Sequence, residues 1–245
     1  MCGRFTLKTP VGNWLADLFP DWLDGVRSFE GLDPEATRAR YNIAPSQPMV
    51  VVHCDRDGVM QMELMRWGLL PHWAGSYSVG YNMINARSET IAEKPSFRPS
   101  LFSKRCVVLA DGYYEWKKLT PKTKQPFWIH RPKEQVFAMA GLWAENRQLA
   151  KPDGPATIRS ATIITTPSNS DTQSVHDRMP AIMFRPDQIT QWLDPVRNSQ
   201  DQTEELLEQL CPLPEGSLLL RQVSGEVNSP KNEGSSLLKC SVDGW

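Results

Sequence analysis

The chain has 245 residues, 40% of them hydrophobic, which is enough for one substantial core. A net charge of −1 excludes a global basic field, so any contact with nucleic acid must come from local positive charge. Five cysteines without a CxxC and four scattered histidines (His53, His72, His130, His176) argue against a disulfide framework and a zinc site.

With no apolar leader and no membrane-length apolar stretch, the expectation is a soluble cytoplasmic protein with no membrane partner, no metal and no cofactor. Taken in chain order, Thr9 to Phe19 predicts a helix. Thr9 suits its cap and Pro10 its first turn, and Val11, Trp14, Leu15, Leu18 and Phe19 share one face. Residues 24–40 are polar and read as a surface excursion. Met49 to Cys54 and Val59 to Met65 predict a hairpin with Asp57-Gly58 as its turn. Arg105 to Ala110, then Asp111-Gly112, then Tyr113 to Trp116 reads as strand, turn, strand. Further strands are predicted at 126–130, 136–143, 160–166, 181–184 and 217–224, with helices at 186–193 and 201–210. The remainder after Val227 reads as irregular. No repeat, low-complexity tract or linker interrupts the chain. The expectation is a mainly antiparallel, strand-rich α+β fold with flanking helices, one domain over 1–234 and a tail at 235–245.

The unusual residues collect in short stretches between elements, where functional residues concentrate. Asn85 to Glu89 (NARSE) reads by itself as a helix start, with Asn85 as cap and Glu89 supporting the first turn. The competing reading is a carboxamide at a site, with Arg87 beside it for a phosphate. In DGYYEW, Glu115 is flanked by aromatics, surroundings that raise a carboxyl pKa; an outward-facing strand residue is the plainer alternative. HDRMP sets His176 between roles as a general acid or base and as part of a polar turn. In RWGLLPHW, Trp67 and Trp73 are either core or a platform for unpaired bases. Lys117 to Lys124 is a basic loop of the kind that forms a solvated hairpin tip.

Together and in this order, MCGRF, YNIAP, RWGLLPHW, INARSET, DGYYEWKK, HDRMP and VNSPKNEG resemble the SRAP family, the SOS-response-associated peptidases also called abasic-site-processing proteins. The resemblance runs from Met1 to about Gly234. It implies a strand-rich pseudo-barrel with a positively charged DNA groove, and a protein that covalently traps abasic sites in single-stranded DNA; a monomer is the default expectation. It carries Cys2 over as nucleophile, with Asn85, Glu115 and His176 around it. Arg4, Asn42, Pro45, Trp67, Trp73, Arg87, Ser88, Trp116 and Arg178 become the DNA-contacting set.

The chemistry explains the place of Cys2. Once Met1 is removed, Cys2 carries a thiol and an α-amine on one residue. An α-amine has a pKa near 8, so a useful fraction is neutral at pH 7 and attacks the ring-opened sugar aldehyde. The thiol two carbons away then closes a five-membered thiazolidine with an intramolecular advantage. In this scheme His176 shuttles a proton to open the sugar ring and to reverse the adduct. Glu115 moves protons during imine formation, Asn85 positions the amine or sugar, and Arg4 supplies charge for a phosphate. Lyase activity and self-reversal lie chemically close by. A thiol (auto)peptidase built on Cys2, and a non-covalent reader of modified bases, stay open at this point.

Overall fold

The computed structural model describes residues 2–10, 13, 17–20, 38–55 and 57–240. Residues 11, 12 and 14–16 of the helix expected over 9–19, most of the excursion at 24–40 and the end of the tail lie outside them.

Two sheets organise the chain. The first runs β13-β8-β7-β1-β2 and is antiparallel throughout, with β1 Phe5–Leu7, β2 Arg40–Ile43, β7 Gly112–Lys118, β8 Lys124–His130 and β13 Leu219–Gln222. The second holds β3 Pro48–Cys54, β4 Met60–Trp67, β6 Arg105–Ala110, β9 Phe137–Asn146 and β10 Ile158–Pro167. In the order β10-β4-β3-β6-β9 each strand pairs with the next, and β10 pairs with β9 as well, so the ring closes on itself. Closure removes sheet edges. The short strands β5 Asn85–Arg87 and β11 Arg178–Pro180 lie on either side of the end of β10, and β12 Ile182–Met183 adds to β9.

Sequence pattern and structure agree over the hairpin β3–β4, whose register runs from Pro48↔Arg66 to Cys54↔Met60. Strand β6 is buried at every position, as expected of a run packed on both faces. The helices α1 Ser78–Tyr81, α2 Arg98–Ser103, α3 Pro186–Leu193 and α4 Gln200–Glu208 are short. Trp192 on α3 donates its indole N–H to the Cys106 carbonyl at 2.9 Å, and buried Arg105 returns a bond to the Trp192 carbonyl at 2.7 Å. Ser199 and Gln202 form a capping box on α4. After β13 the chain makes 3₁₀ turns at Gly225–Asn228 and Ser235–Leu238, and Val223 bridges to Cys240.

Two expectations are corrected. Asp111-Gly112 is not a hairpin turn, because β6 and β7 belong to different sheets and the dipeptide is the crossing between them. Gly112 is required there, since a Cβ would lie 2.2 Å from the Trp128 indole nitrogen. Asn85 does not cap a helix. Asn85–Arg87 is a parallel strand on β10, paired to Ile163, Ile164 and Thr165.

Asp111 is fully buried and gathers four donors from the start of the chain. Thr6 Oγ1 donates to Oδ1 at 2.6 Å, while Lys8 N, Thr9 N and Thr9 Oγ1 donate to Oδ2 at 2.6, 2.8 and 2.8 Å. Thr9 therefore ties β1 to the sheet crossing. Truncation of Asp111 to alanine removes the acceptor shared by two backbone N–H groups and two hydroxyls, and a buried donor left without one costs about 1–3 kcal/mol. Asp111→Ala is expected to lower the urea midpoint by the equivalent of about 3 kcal/mol or more with an unchanged slope; a midpoint equal to wild type would refute the anchoring role.

Candidate active site

The site forms where the N-terminal segment enters β1. Strand β1 pairs with β7 through Phe5↔Tyr113 and Thr6↔Gly112, and the Tyr114 N–H donates to the Arg4 carbonyl at 2.9 Å. Extending that register sets Glu115 opposite Gly3. Alternation along β7 then sends Tyr113 and Glu115 to one face and Tyr114 and Trp116 to the other. Tyr113 joins the main core with Cys2, while Tyr114 and Trp116 pack in a second cluster with Trp128, Val223, Val227 and Leu238.

Cys2, in the chain that includes Met1, has no exposed surface, and its thiol faces the Arg4 carbonyl at 3.9 Å. Asn85 Nδ2 donates to the Cys2 carbonyl at 2.8 Å, and Asn85 Oδ1 is buried without a hydrogen-bond partner among the described residues. Burial pushes the Cys2 thiol well above its ordinary range; the Glu115 carboxylate adds to this and the positive amino terminus opposes it. Burial likewise raises the Glu115 carboxyl from 4.5 to about 7, the amino terminus again opposing. Half-buried His176 lies in the turn before β11. Its Nδ1 accepts the Arg178 backbone N–H at 3.0 Å and stands 2.9 Å from Asp177 Oδ1. The Arg178 N–H favours a ring proton on Nε2, whereas the Asp177 carboxylate favours one on Nδ1. Burial holds the imidazole below its ordinary range; the amino terminus adds to this and Asp177 opposes it. The amino terminus acts on Cys2, Glu115 and His176 alike, and Asn85 touches Cys2 directly, so the four predicted residues share one electrostatic environment.

The nine predicted DNA-contacting residues divide. Trp67 is 1% exposed, donates to the Ile84 carbonyl at 2.9 Å and packs edge-on against Phe5, so it is a core residue with no face for a base. Gly68 beside it is obligatory, at φ 110° and where a Cβ would lie 2.5 Å from the Gly80 carbonyl oxygen. Trp73 is 48% exposed on the loop that follows. Half-buried Trp116 donates its indole N–H to Asn228 Oδ1 at 2.7 Å, with the Arg4 guanidinium 6.0 Å from its ring. Arg4 points into the protein, donating to Asn42 Oδ1 at 2.9 Å and to the Val227 and Asn228 carbonyls at 2.8 and 3.3 Å. Buried Asn42 holds the Ser229 and Asn232 carbonyls at 2.9 Å each. Pro45 is half-buried in the turn before β3, where Ser46 adopts φ 73°. The Ser88 N–H donates to the Thr165 carbonyl at 3.0 Å. Arg178 is 8% exposed and grips both carboxylate oxygens of Glu89. Among the three predicted arginines, Arg87 is the one fully at the surface.

A scan against family descriptions matches "SOS response associated peptidase (SRAP)" over residues 1–230. The chain belongs to the SRAP family. Within it, the chain is 39% identical to the abasic site processing protein YoqW of Bacillus subtilis, over 98% of this chain and 99% of that one. It is 31% identical to the abasic site processing protein HMCES of Xenopus tropicalis, covering 87% of this chain and 68% of that protein. A structure from Bacteroides thetaiotaomicron shares the fold with a TM-score of 0.75 at 23% identity, over 98% and 100% of the two chains. A phage-related protein from Bordetella bronchiseptica has a TM-score of 0.67 at 28% identity, over 91% and 94%.

Three participants escaped the sequence. Tyr113 sits in DGYYEW but was passed over for Glu115; burial, with Cys2 and Glu115 adding, holds its phenol well above its ordinary range. Asp177 lies inside HDRMP, where position alone could have flagged it. Glu89 was read as helix support, though two arginines in neighbouring motifs needed a counter-ion. No group of three or more His, Cys, Asp or Glu side chains is placed to hold a metal, and no helix is long and apolar enough to cross a membrane, among the described residues.

The Glu115 carboxyl gives a signed test. Its pKa is higher folded than unfolded, so the folded state is destabilised as pH rises from 4.5 to about 7, and the loss is complete above that. The rise corresponds to about 3 kcal/mol at 1.36 kcal/mol per pH unit. Glu115→Gln is expected to be more stable than wild type at pH 8 by up to about this amount, with the advantage gone near pH 4.5. Equal thermal midpoints at pH 8 would remove the raised carboxyl from the account.

Proposed function

We propose that this protein traps abasic sites in single-stranded DNA through a thiazolidine formed by Cys2. The observation that carries this reading is the pairing of a buried, protonated Cys2 thiol with a Glu115 carboxyl poised near neutrality, at the second residue of the chain. Removal of Met1 frees the Cys2 amine. That amine attacks the sugar aldehyde, water leaves, and an imine joins Cys2 nitrogen to the sugar carbon. The thiol then adds to this carbon while its proton passes to the nitrogen, closing the ring with no oxidant or reductant. Glu115, titrating near 7, is matched to both proton movements. The hydrogen bond from Asn85 holds Cys2 in place, and a neutral His176 offers Nε2–H to the sugar oxygen as the ring opens. The relatives' names as abasic site processing proteins support the same substrate.

The imine is also the intermediate from which β-elimination cleaves a strand, so ring closure competes with lyase chemistry. A thiol peptidase would instead need Cys2 as thiolate, which its burial opposes. Exposed Trp73 is the aromatic best placed to stack on a base, and Arg87 the arginine open to a phosphate.

The first test mixes the mature protein with a single-stranded oligonucleotide bearing one abasic site, followed by a denaturing gel. Wild type is expected to give a denaturant-stable band that Cys2→Ala lacks, while the variant, still carrying an α-amine, retains strand cleavage. With the N-terminus confirmed as Cys2, absence of the wild-type band would sink the trap. Trp73→Ala is expected to weaken the encounter with single-stranded DNA by about 1–3 kcal/mol, read by fluorescence anisotropy; unchanged affinity would move the stacking surface elsewhere.

A further inference from the structure

The ion pair between Glu89 and Arg178 spans the end of β10. On one side, β5 carries Asn85 and pairs with Ile163, Ile164 and Thr165. On the other, β11 pairs antiparallel with Thr165, Thr166 and Pro167, and its first residue, Arg178, follows directly on His176 and Asp177. The Thr165 carbonyl is shared by both sides. It accepts the Ser88 N–H at 3.0 Å and Arg178 Nη2 at 2.5 Å. Arg178 Nη2 also donates to Glu89 Oε2 at 2.9 Å, and Nη1 to Glu89 Oε1. The Ser168 N–H holds the Asp177 carbonyl at 3.0 Å, closing the turn from below. The same Arg178 supplies the backbone N–H that bonds His176 Nδ1 at 3.0 Å.

We propose that Glu89 is a positioning residue: by clamping the Arg178 guanidinium across β10, it sets the turn bearing His176 relative to the strand bearing Asn85. The bidentate geometry fixes orientation as well as distance, which a single contact would not do. Glu89 itself is 46% exposed in its side chain and touches no other site residue through that carboxylate, apart from Ser88 at 3.4 Å, so its effect runs through Arg178. Its charge matters too. The groups acting on His176 are the amino terminus, Lys124 on β8, Asp177 and Arg178. With Glu89 present the Arg178 cation is balanced; without it, the unbalanced cation disfavours the imidazolium and His176 titrates at lower pH.

This rests on the trapping reading for its kinetic arm, but its spectroscopic arm does not. Glu89→Gln keeps an acceptor and loses the charge; Glu89→Ala loses both. Crosslinking at saturating abasic oligonucleotide is expected to slow about 10-fold in the first and about 100-fold in the second. Affinity for the same oligonucleotide without the lesion is expected to stay at the wild-type value, and rates are compared well below the thermal midpoint, which falls because the buried Arg178 cation loses its partner. An NMR titration of the His176 ring is expected to move to lower pH in both variants. Rates within twofold of wild type, or an unmoved His176 titration, would overturn the clamp, as would a loss that tracks unfolding. Should wild type form no crosslink at all, the trapping reading falls, and the NMR titration still decides whether Glu89 governs the His176 turn.

Discussion

The structure depends on one buried carboxylate. Asp111 stands where the chain crosses from the closed ring to the open sheet, and it takes up donors from Thr6, Lys8 and Thr9. A three-residue strand cannot hold itself in place by ladder bonds alone. Satisfying its loose donors on a fixed acceptor makes β1 part of the sheet. Everything at the site follows from that anchorage, because Cys2 lies three residues before β1 and inherits its position. Trp128, which donates to Thr6 Oγ1 at 3.1 Å and closes over Gly112, seals the same joint from behind.

The site is electrically restrained. Burial keeps the thiol protonated, lifts the carboxyl of Glu115 toward neutrality and suppresses the imidazolium. A cysteine held this way is protected from casual oxidation, since the thiolate is the reactive form. The Glu115 carboxyl, raised to about 7, gains or loses a proton with little driving force near neutral pH. The arrangement suits the proposed reaction, in which ring opening, loss of water at the imine and thiol addition each move a proton.

Local pattern made much of the fold legible. Alternation and an Asp-Gly turn announced β3–β4, apolar runs announced β6, β9 and β10, and the two late helices fell at their expected positions. What stayed hidden was non-local. Parallel pairing of β10 with β4 and β5 leaves no periodic trace, so Asn85 looked like a cap when it is a rung of a ladder. Burial of Trp67 could not be read, because a tryptophan beside Gly-Leu-Leu suits a core and a stacking surface equally. The proposed set of Cys2, Asn85, Glu115 and His176 is readable in the sequence only through the order of its motifs. Arg4 and Arg178 were placed by residue type, whereas their partners lie 223 and 89 residues away.

The strap formed by residues 227–233 has a consequence in time. Arg4 and Asn42 grip carbonyls of Val227, Asn228, Ser229 and Asn232, and Glu233 accepts the Tyr41 N–H at 2.8 Å. A ribosome makes the reactive end first and its closing strap last, an interval on the order of 10–50 s at ordinary elongation rates. Throughout that interval Arg4 and Asn42 lack the carbonyls they grip in the finished fold, so an aminopeptidase working on the nascent chain would meet the segment around Cys2 before the strap is laid over it.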